Sequence, residues 1–370
     1  MPRLRRVSVS SPGFSRRRRG KGWTYLDTEG QRIVDPDVIA RISALAIPPA
    51  YTDVWICPFP NGHLQAVGTD DRGRRQYRYH EQWRADRDRA KHDRVLEVAA
   101  RLPAARERVE ELLHTDGLTR ERVLAAAFRL LDLGFFRVGG DTYAEENGSY
   151  GLATLRRDHV HQRGQELVFS YVAKSGKDRT AVIADPAVRD VVRSLKRRRG
   201  GGEDLLVWKQ GNRWHDVTAD DVNEFLHETI GPDVSAKDFR TWHATVLAAV
   251  ALAVSLPVAG TATARKRAVT RACAEVSEYL GNTPSVCRSS YIDPRVIDLF
   301  GDGVTIAPVL EQLGDGASFG HPATHGAVEL AVQDLLHTDP DAVVRSIARG
   351  RTPRLASKRL SVPGTDQPAA

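Results

Sequence analysis

The segment Leu280-Gly-Asn-Thr-Pro-Ser-Val-Cys-Arg-Ser-Ser-Tyr291-Ile-Asp-Pro294 decides how the second half of the chain folds. Residues 264–280 carry apolar side chains at the three- and four-residue spacing of an amphipathic helix. Gly281 stands where that helix is expected to end, and Pro284 cannot continue it. We therefore predict a long helix, a tight turn, and a second short helix.

The short helix would present a tyrosine beside groups that bind anions. Ser285 is predicted to cap this helix, which would carry Tyr291 before Pro294 ends it. Arg288 on the same helix and the amide of Asn282 in the turn supply a charge and a hydrogen-bond donor. A phenol placed there can meet an anion, although a tyrosine at a helix end more often packs against a core.

Length and charge indicate a two-domain protein with a polyanionic partner. A chain of 370 residues is long enough for two domains with cores of their own. Its formal net charge is +7, and residues 1–22 hold eight Lys or Arg and no acid. No amphipathic apolar face accompanies this charge, so nucleic acid is favoured over a membrane as the partner. The alternative is that this segment is a solvated, disordered tail without a binding role.

Cysteine usage and hydropathy predict a cytoplasmic protein with no membrane span. The three cysteines form no CxxC pair and no metal spacing with histidine, which favours a reducing compartment. The most apolar run, residues 244–256, is too short to cross a bilayer and is expected to be a buried helix. The N-terminus lacks the apolar core of a secretory signal. We therefore expect the protein to lie in the cytoplasm.

Residues 23–90 read as a β-rich domain. Short apolar runs separated by turn residues predict strands at 23–26, 31–34, 54–59, 63–67 and 74–80. In the last strand Gln76, Arg78 and His80 share one face, and Tyr77 and Tyr79 share the other, because side chains alternate along a strand. This ribbon offers polar groups and phenols to DNA, unless one face simply packs in the core.

The following part reads as mainly helical. A linker near residues 81–92 precedes a helix over 93–113 that is interrupted near Pro103. Thr119 is predicted to cap a helix that ends at Gly134. Arg137 then stands before Gly139 and Gly140, whose missing side chains permit close backbone approach, so this arginine can face an anion.

Two further elements carry isolated cations. Residues 167–172 and 180–183 predict a β-hairpin whose tip contains Lys174 and Lys177, although exposed tip lysines usually serve solubility. Ser235 and Asp238 predict a helix start that places Arg240 in the first helical turn, where the dipole favours a bound anion. An arginine in such a turn is most often a surface residue.

Read together, these segments resemble the poxvirus-like type IB DNA topoisomerases, especially their bacterial branch. The resemblance covers roughly residues 20–320. It rests on Phe136-Arg137-Val-Gly-Gly-Asp-Thr-Tyr143, Glu146-Asn-Gly-Ser-Tyr-Gly-Leu-Ala-Thr-Leu155, Lys174-Ser-Gly-Lys177, Lys237-Asp-Phe-Arg240-Thr, and Gly281-Asn-Thr-Pro284 followed by Tyr291. Each motif is weak evidence alone, but five motifs in this order are highly specific.

The resemblance implies a role for each of five residues. Tyr291 matches the family's nucleophile, which forms a 3′-phosphotyrosyl link to DNA and frees a 5′-hydroxyl. Arg137 and Arg240 match its two catalytic arginines, and Lys174 matches the general acid on its hairpin. Asn282 stands where viral and eukaryotic relatives have a histidine that binds a nonbridging phosphate oxygen. An amide can donate a hydrogen bond there but cannot supply a charge.

The resemblance also implies the fold and the partner. The expected fold is α+β, with a small β-rich N-terminal DNA-clamping domain and a larger, mainly helical catalytic domain with a β-hairpin. Predicted boundaries are 1–22 for a basic disordered tail, 23–90 and 91–325 for these two domains, and 326–370 for a helical extension with a frayed tail. Duplex DNA is the expected partner. Predicted contact residues are Gln76, Tyr77, Tyr79, Tyr143, Lys177, Lys237 and Arg288.

No cofactor is expected. One phosphodiester is exchanged for another, so supercoil relaxation would need no fuel, and the chain has no GxxxxGK[ST] phosphate loop. No acidic cluster suited to magnesium is evident, so we expect no catalytic metal.

Two alternative functions remain open from the sequence. A tyrosine recombinase uses similar residues, but it generally has HxxR where this chain has Lys237-Asp-Phe-Arg240, and its N-terminal part is helical. The other alternative is a noncatalytic DNA-binding protein of the same fold, which the complete residue set disfavours.

Overall fold

The structure, a computed structural model, describes residues 3–20, 22–140, 148–313 and 325–337. The chain divides into two compact units, Met1–Lys91 and His92–Ala370. The first is rich in strands and the second is mainly helical, so the expected α+β fold is confirmed.

The first unit contains five strands and one complete helix within its described residues. They are β1 Ser15–Arg19, β2 Gly22–Leu26, α1 Pro36–Ala44, β3 Thr52–Ile56, β4 Leu64–Thr69 and β5 Arg75–Tyr79. Strands β1 and β2 form one antiparallel pair, and β3, β4 and β5 form an antiparallel sheet in that order. Ile42 of α1 packs with Ile56 and Ala66 in a small core of apolar side chains.

The basic N-terminal segment is ordered where we expected a disordered tail. Residues 15–19 pair with β2 over their whole length. Arg16 donates hydrogen bonds to the backbone oxygens of Ile47 and Tyr51, at 3.1 and 2.9 Å, and its guanidinium lies 4.0 Å from the Trp23 ring centroid. The basic run is therefore held by strand pairing and by carbonyl oxygens that are remote in sequence.

Two other expectations differ in this part of the chain. The predicted strand over 31–34 is reduced to a single bridge between Leu26 and Arg32. The segment 81–92, which we predicted to be a linker, is the start of helix α2, which runs from Glu81 to Leu113. The predicted interruption at Pro103 does not end this helix. The segment 81–92 lacks an apolar stripe, but it is rich in Arg, Ala, Glu and Lys, which favour helices.

The second unit holds nine helices and five strands after α2 within its described residues. They are α3 Arg120–Gly134, β6 Val160–Arg163, β7 Glu166–Ala173, β8 Lys177–Ile183, α4 Pro186–Arg197, β9 Val207–Gln210, β10 Arg213–Asp216, α5 Ala219–Thr229, α6 Ala236–Ser255, α7 Ala262–Leu280, α8 Pro284–Ser290, α9 Pro294–Gly301, α10 Ala307–Leu313 and α11 Ala327–His337. Strands β6, β7 and β8 form an antiparallel sheet, and β9 pairs with β10. The predicted hairpin is confirmed as β7 and β8.

Helix α6 forms much of the core of this unit. Phe239 and Trp242 are almost fully buried, and Phe239 packs edge-on against Phe128 of α3. The apolar helix is longer than the 13-residue run suggested: residues 236–258 are long and apolar enough to cross a membrane by length and composition. Within an apolar 18-residue stretch of this range, 56% is buried inside the protein, which is typical of a core helix.

Helices α7 and α8 form as the opening segment predicts, with two corrections. Helix α8 ends at Ser290, so Tyr291 is its C-cap rather than a helical residue, and Pro294 begins α9 instead of ending α8. The apolar positions of the predicted stripe are all buried, and Gly281 ends α7 with φ of 61°. These positions are Ala268, Val269, Ala272, Cys273, Val276 and Leu280. The cap of α8 is Thr283 rather than Ser285, since the Thr283 side chain accepts a hydrogen bond from the amide of Val286. Pro284 takes the first helical position, where a missing N–H costs nothing, so the residue before it becomes the cap.

Of the predicted C-terminal extension, the structure describes residues up to 337, where α11 forms. The frayed tail predicted after Arg351 lies outside the described residues, and the predicted boundary at 325 stays a prediction.

Candidate active site

Arg137 is positioned by a close crossing of two backbone segments. Phe135 follows α3 in the left-handed conformation, with φ of 55°, and turns the chain so that Phe136 enters the core. The amide of Leu152 donates to the Arg137 oxygen at 2.7 Å. A β-carbon placed on Gly151 would lie 2.4 Å from Cα of Gly139, so only glycine fits this crossing.

Arg240 is buried rather than exposed at a helix start. Ser235 and Asp238 form a reciprocal cap at the start of α6, as predicted, and Arg240 is the fifth residue of that helix, just past the first turn. It is only 3% exposed. Its guanidinium donates to the backbone oxygens of Phe135 and Leu280, the latter at 2.8 Å.

Arg179 is a third arginine in this region, half-buried, which the sequence analysis missed. It lies on β8, five residues after Lys174, and donates to the backbone oxygens of Gly134 and Tyr279 at 3.1 and 2.8 Å. Burial lowers the pKa of Arg179, and the neighbouring charge of Arg137 acts in the same direction. A periodic signal was present, because Arg179 occupies the inward phase of the strand with Ile183.

The three arginines share one kind of partner, the carbonyl oxygens at two helix ends. Arg179 and Arg240 donate to the end of α3 and to the end of α7, and Arg137 donates to the oxygen of Gly281 at 3.3 Å. Within the described ranges, no carboxylate lies within 4 Å of these guanidiniums. Helix C-terminal carbonyls carry partial negative charge, so they stabilise the cations without neutralising them.

Asn282 and Tyr291 lie beside this arginine cluster. Arg137 donates to Oδ1 of Asn282, and because a guanidinium can only donate, this contact fixes which end of the amide is the oxygen. The Arg240 guanidinium carbon lies 5.3 Å from the ring centroid of Tyr291. Four of the five predicted catalytic residues are therefore linked by direct contacts.

The cluster shifts the ionisation of the phenol. Partial burial acts to raise the pKa of Tyr291, but the charge and hydrogen bonding of Arg240, followed by the Asn282 amide and Lys237, lower it below its ordinary value. Nδ2 of Asn282 makes no hydrogen bond of normal geometry within the described residues, although it lies close enough to the phenol to lower that pKa. The amide is thus turned toward the space beside the hydroxyl.

Arg240 remains a cation at neutral pH. Burial, together with the charge of Arg137, lowers the pKa of Arg240 to about 10. That value is still well above 7, so the guanidinium and the phenol can act as a charged pair whose partners favour each other's ionised forms.

The predicted lysines lie at the surface. Lys174 is exposed in the turn at residues 174–176, and Lys177 is the exposed first residue of β8. Lys237 is exposed in the first turn of α6, and Arg288 is exposed on α8. Tyr143 lies outside the described residues.

The predicted DNA-contacting ribbon of the first unit is β5. Tyr77 and Tyr79 share a face, as alternation predicts, and their rings stack with centroids 6.1 Å apart. They are 47% and 42% exposed, which is high for large aromatic side chains. Gln76 donates to Oδ2 of Asp70 at 2.9 Å.

Comparison with known proteins adds two family matches. Residues 80–298 match the family described as eukaryotic DNA topoisomerase I, catalytic core, and residues 22–70 match bacterial DNA topoisomerase IB, N-terminal domain. The core match alone covers more than half of the chain.

Among curated proteins, DNA topoisomerase 1B of Acanthamoeba polyphaga mimivirus is 28% identical over 78% of this chain and 87% of its own length. DNA topoisomerase I of Monkeypox virus is 24% identical over 64% of this chain and 72% of its own. DNA topoisomerase 1B of Vaccinia virus (strain Copenhagen) has the same identity and coverage as the Monkeypox protein.

The helical core, with a tyrosine beside clustered arginines, and the matched catalytic region define the class, a type I DNA topoisomerase. Within that class the chain belongs to the type IB DNA topoisomerase family, and its N-terminal domain is of the bacterial kind.

Proposed function

We propose that this protein relaxes positive and negative supercoils in duplex DNA by transient cleavage of one strand through a 3′-phosphotyrosyl intermediate at Tyr291. The observation that carries the proposal is the assembly of Tyr291, Arg137, Arg240 and Asn282 at the meeting point of α3, α6 and α7. Together these groups supply a nucleophile, a positive field and an aligned donor.

The lowered pKa of Tyr291 suits a nucleophile. An ordinary phenol with a pKa near 10 is almost entirely protonated at neutral pH. Arg240 and Asn282 stabilise the phenolate, so a larger fraction is ready to attack. The phenolate oxygen would bond to phosphorus while the bond from phosphorus to the 5′ oxygen breaks, leaving the 3′ end on the protein.

The arginines would stabilise the charge that develops at phosphorus. Each guanidinium has five N–H donors, and the carbonyl contacts use only some of them. Because the partners are carbonyls, an incoming phosphate need not displace a carboxylate. Preorganised donors of this kind stabilise a transition state without reorganising during the reaction.

Asn282 would bind a nonbridging phosphate oxygen. Its Oδ1 is occupied by Arg137, so Nδ2 is the end that can donate toward a ligand beside Tyr291. This arrangement gives an asparagine the donor role that the resemblance assigns to histidine in viral and eukaryotic relatives.

Lys174 would protonate the departing 5′ oxygen. An alkoxide leaves poorly, so an acid at that atom accelerates cleavage. Lys174 lies in an exposed turn between two strands, and Arg179 on the second strand ties that strand to the arginine cluster. We propose that DNA binding brings this lysine to the scissile phosphate.

Cleavage exchanges one phosphodiester for another, so religation needs neither ATP nor a metal ion. Between the two steps the cut strand rotates about its partner and releases torsional strain. Tyr77 and Tyr79 of the first unit would contact the duplex, as would the basic surface residues Lys177, Lys237 and Arg288. We further propose that the protein acts as a monomer on nucleoid DNA in the cytoplasm.

Plasmid relaxation tests this proposal directly. The protein is incubated with negatively or positively supercoiled plasmid in EDTA without ATP, and topoisomers are separated on a gel. The proposal expects a ladder of relaxed species from both substrates. Recovery of both substrates unchanged, with a protein that still binds duplex DNA, would contradict it.

A further inference from the structure

A second cluster of titratable side chains lies behind the arginine cluster. Asp132 of α3, His243 of α6 and His325 just before α11 each offer one ligand atom, and these atoms lie within 4.8 Å of one another. The side chains of Asp132 and His243 are completely buried, and that of His325 is 12% exposed. None of the three takes part in the proposed strand cleavage.

Two distances in this cluster match a tetrahedral metal site. Nε2 of His243 and Nε2 of His325 each lie 3.3 Å from Oδ1 of Asp132. Nitrogen and oxygen ligands about 2.05 Å from a tetrahedral zinc ion are about 3.3 Å apart. Two edges of the cluster therefore have the length that a shared ion would impose.

The imidazole Nε2 atoms of His243 and His325 are available for another partner. Neither Nε2 makes a hydrogen bond of normal geometry to any described residue, although the carboxylate oxygen is within reach. In a tetrahedral site the ligand lone pairs point at the central ion, about 35° away from the line that joins two ligands. A shared ion would therefore account for close contacts that are not hydrogen bonds.

The charges around the cluster favour a cation. Arg106 donates to Asp132 and to Glu329, so two buried carboxylates share one guanidinium. Two carboxylates against one guanidinium leave an excess of negative charge that a bound cation would balance.

We propose that Asp132, His243 and His325 bind one divalent ion of the zinc class. Two imidazoles and one carboxylate are a donor set that zinc takes in proteins, with water as the fourth ligand. Arg106 orients the carboxylate from outside, as second partners of metal ligands do. A surface cavity of about 760 Å³, lined in part by Arg106 and His325, provides an entry path.

The ion would serve as a structural clamp rather than as a reactant. It would join α3, α6 and the start of α11, and the ring of Phe135 packs edge-on against His243 with centroids 5.3 Å apart. The backbone oxygen of Phe135 in turn accepts a hydrogen bond from Arg240. The proposed metal site would therefore support the backbone of Phe135, whose oxygen holds Arg240.

Cobalt binding tests the proposal without reference to activity. Tag-free full-length protein is stripped of metal by prolonged dialysis against chelator and titrated with Co²⁺, whose visible absorption reports tetrahedral coordination. We expect one equivalent to bind and to be displaced by one equivalent of Zn²⁺. We also expect Zn²⁺ to raise the Tm of the stripped protein.

Two variants separate the site from the rest of the surface. His325→Ala removes the least buried ligand and should weaken Co²⁺ binding by at least about 100-fold, because one of three protein ligands is lost. His337→Ala is the matched control: it changes a histidine at the far end of α11 that donates to the backbone oxygen of Gln333. The control should bind Co²⁺ as the wild type does.

The alternative is that Asp132, His243, His325 and Arg106 form a metal-free polar network. No stoichiometric Co²⁺ absorption, or an unchanged titration in His325→Ala, would overturn the proposal. If His325→Ala fails to fold by circular dichroism, zinc content of the wild type as purified from zinc-supplemented cells decides the question: less than 0.1 equivalent per chain would also overturn it.

Discussion

The arginine cluster and the hairpin turn carry opposite halves of the proposed reaction, and the protein builds them differently. Arg240 is 3% exposed and is held by two helix ends, whereas Lys174 stands in an exposed turn where Ser175 and Gly176 both have φ of 69°. The groups that would activate the nucleophile and bind phosphate are assembled in the folded chain. The group that would release the leaving oxygen stands on a surface turn.

This difference teaches that the two halves can be tested separately. Variants in the cluster should change attack at phosphorus whatever the leaving group is. Variants in the turn should matter only when the leaving group needs a proton. The following predictions use that distinction, from the largest expected effect to the smallest.

Tyr291→Phe should abolish relaxation and covalent trapping of DNA, with a loss of at least about 10⁵-fold, because no other group replaces the phenolate. The ring still packs beside Arg240, so duplex affinity should change little. Single-turnover trapping of a labelled duplex measures the first effect, and a binding titration measures the second. An active Phe variant would refute the assignment of the nucleophile.

Lys174→Ala should slow cleavage of an ordinary phosphodiester by about 10²–10⁴-fold, which is the usual contribution of a general acid. DNA with a bridging 5′ sulfur should restore the rate, because a thiolate leaves without a proton. The matched control is Lys177→Ala, which changes a neighbouring exposed lysine. Because Lys177 is not the proposed acid, the bridging sulfur should not restore any rate that this variant loses. Failure of the sulfur to rescue Lys174→Ala would mean that another residue is the acid.

Arg240→Gln should slow cleavage by about 10²–10³-fold on both oxygen and sulfur substrates, since it removes a charged donor to the transition state. It should also move the pH profile. The wild-type rate on the sulfur substrate rises with pH until Tyr291 is ionised, at a pKa lowered by Arg240. In the variant that pKa rises, so the rising limb should shift to higher pH.

Arg240→Lys provides the comparison for the pH shift. It retains the positive charge but cannot donate to two carbonyls with a planar fork. We expect a reduced rate with a pH profile closer to that of the wild type. An unshifted profile in Arg240→Gln would show that this arginine does not set the ionisation of the phenol.

Asn282→Ala should reduce cleavage by only about tenfold, the loss expected for one neutral hydrogen bond. Asn282→Asp should be worse than Asn282→Ala, because a carboxylate beside Tyr291 would repel the phosphate and oppose phenolate formation. Single-turnover rates for the two variants measure this order. Equal rates in Asn282→Asp and the wild type would exclude a donor role for the amide.

The sequence predicted most elements whose signals are local. The apolar stripe of α7, its stop at Gly281 and the hairpin of β7 and β8 all have the predicted form, because periodicity and turn residues determine them. The cap of α8 was misplaced by two residues, since the preference of Pro284 for the first helical position outweighs the capping tendency of Ser285.

Features that depend on contacts remote in sequence could not be predicted in this way. The strand at 15–19 is held by carbonyl oxygens near residues 47–51, and charge alone indicated disorder. The burial of Arg240 depends on the ends of α3 and α7, which lie 105 and 40 residues away. The meeting of Asp132, His243 and His325 likewise has no local signature.

The choice of carbonyl oxygens to hold Arg137, Arg179 and Arg240 has a further consequence for tolerance of acid. A peptide carbonyl oxygen takes up no proton over the pH range in which proteins remain folded. An aspartate partner, by contrast, would lose its charge and weaken the ion pair as it became protonated. The hydrogen bonds that hold the three guanidiniums therefore do not depend on the protonation of a partner as the pH falls. Any decline of the enzyme at low pH is then expected to begin at other groups, such as the carboxylates that pair with arginines elsewhere in the fold.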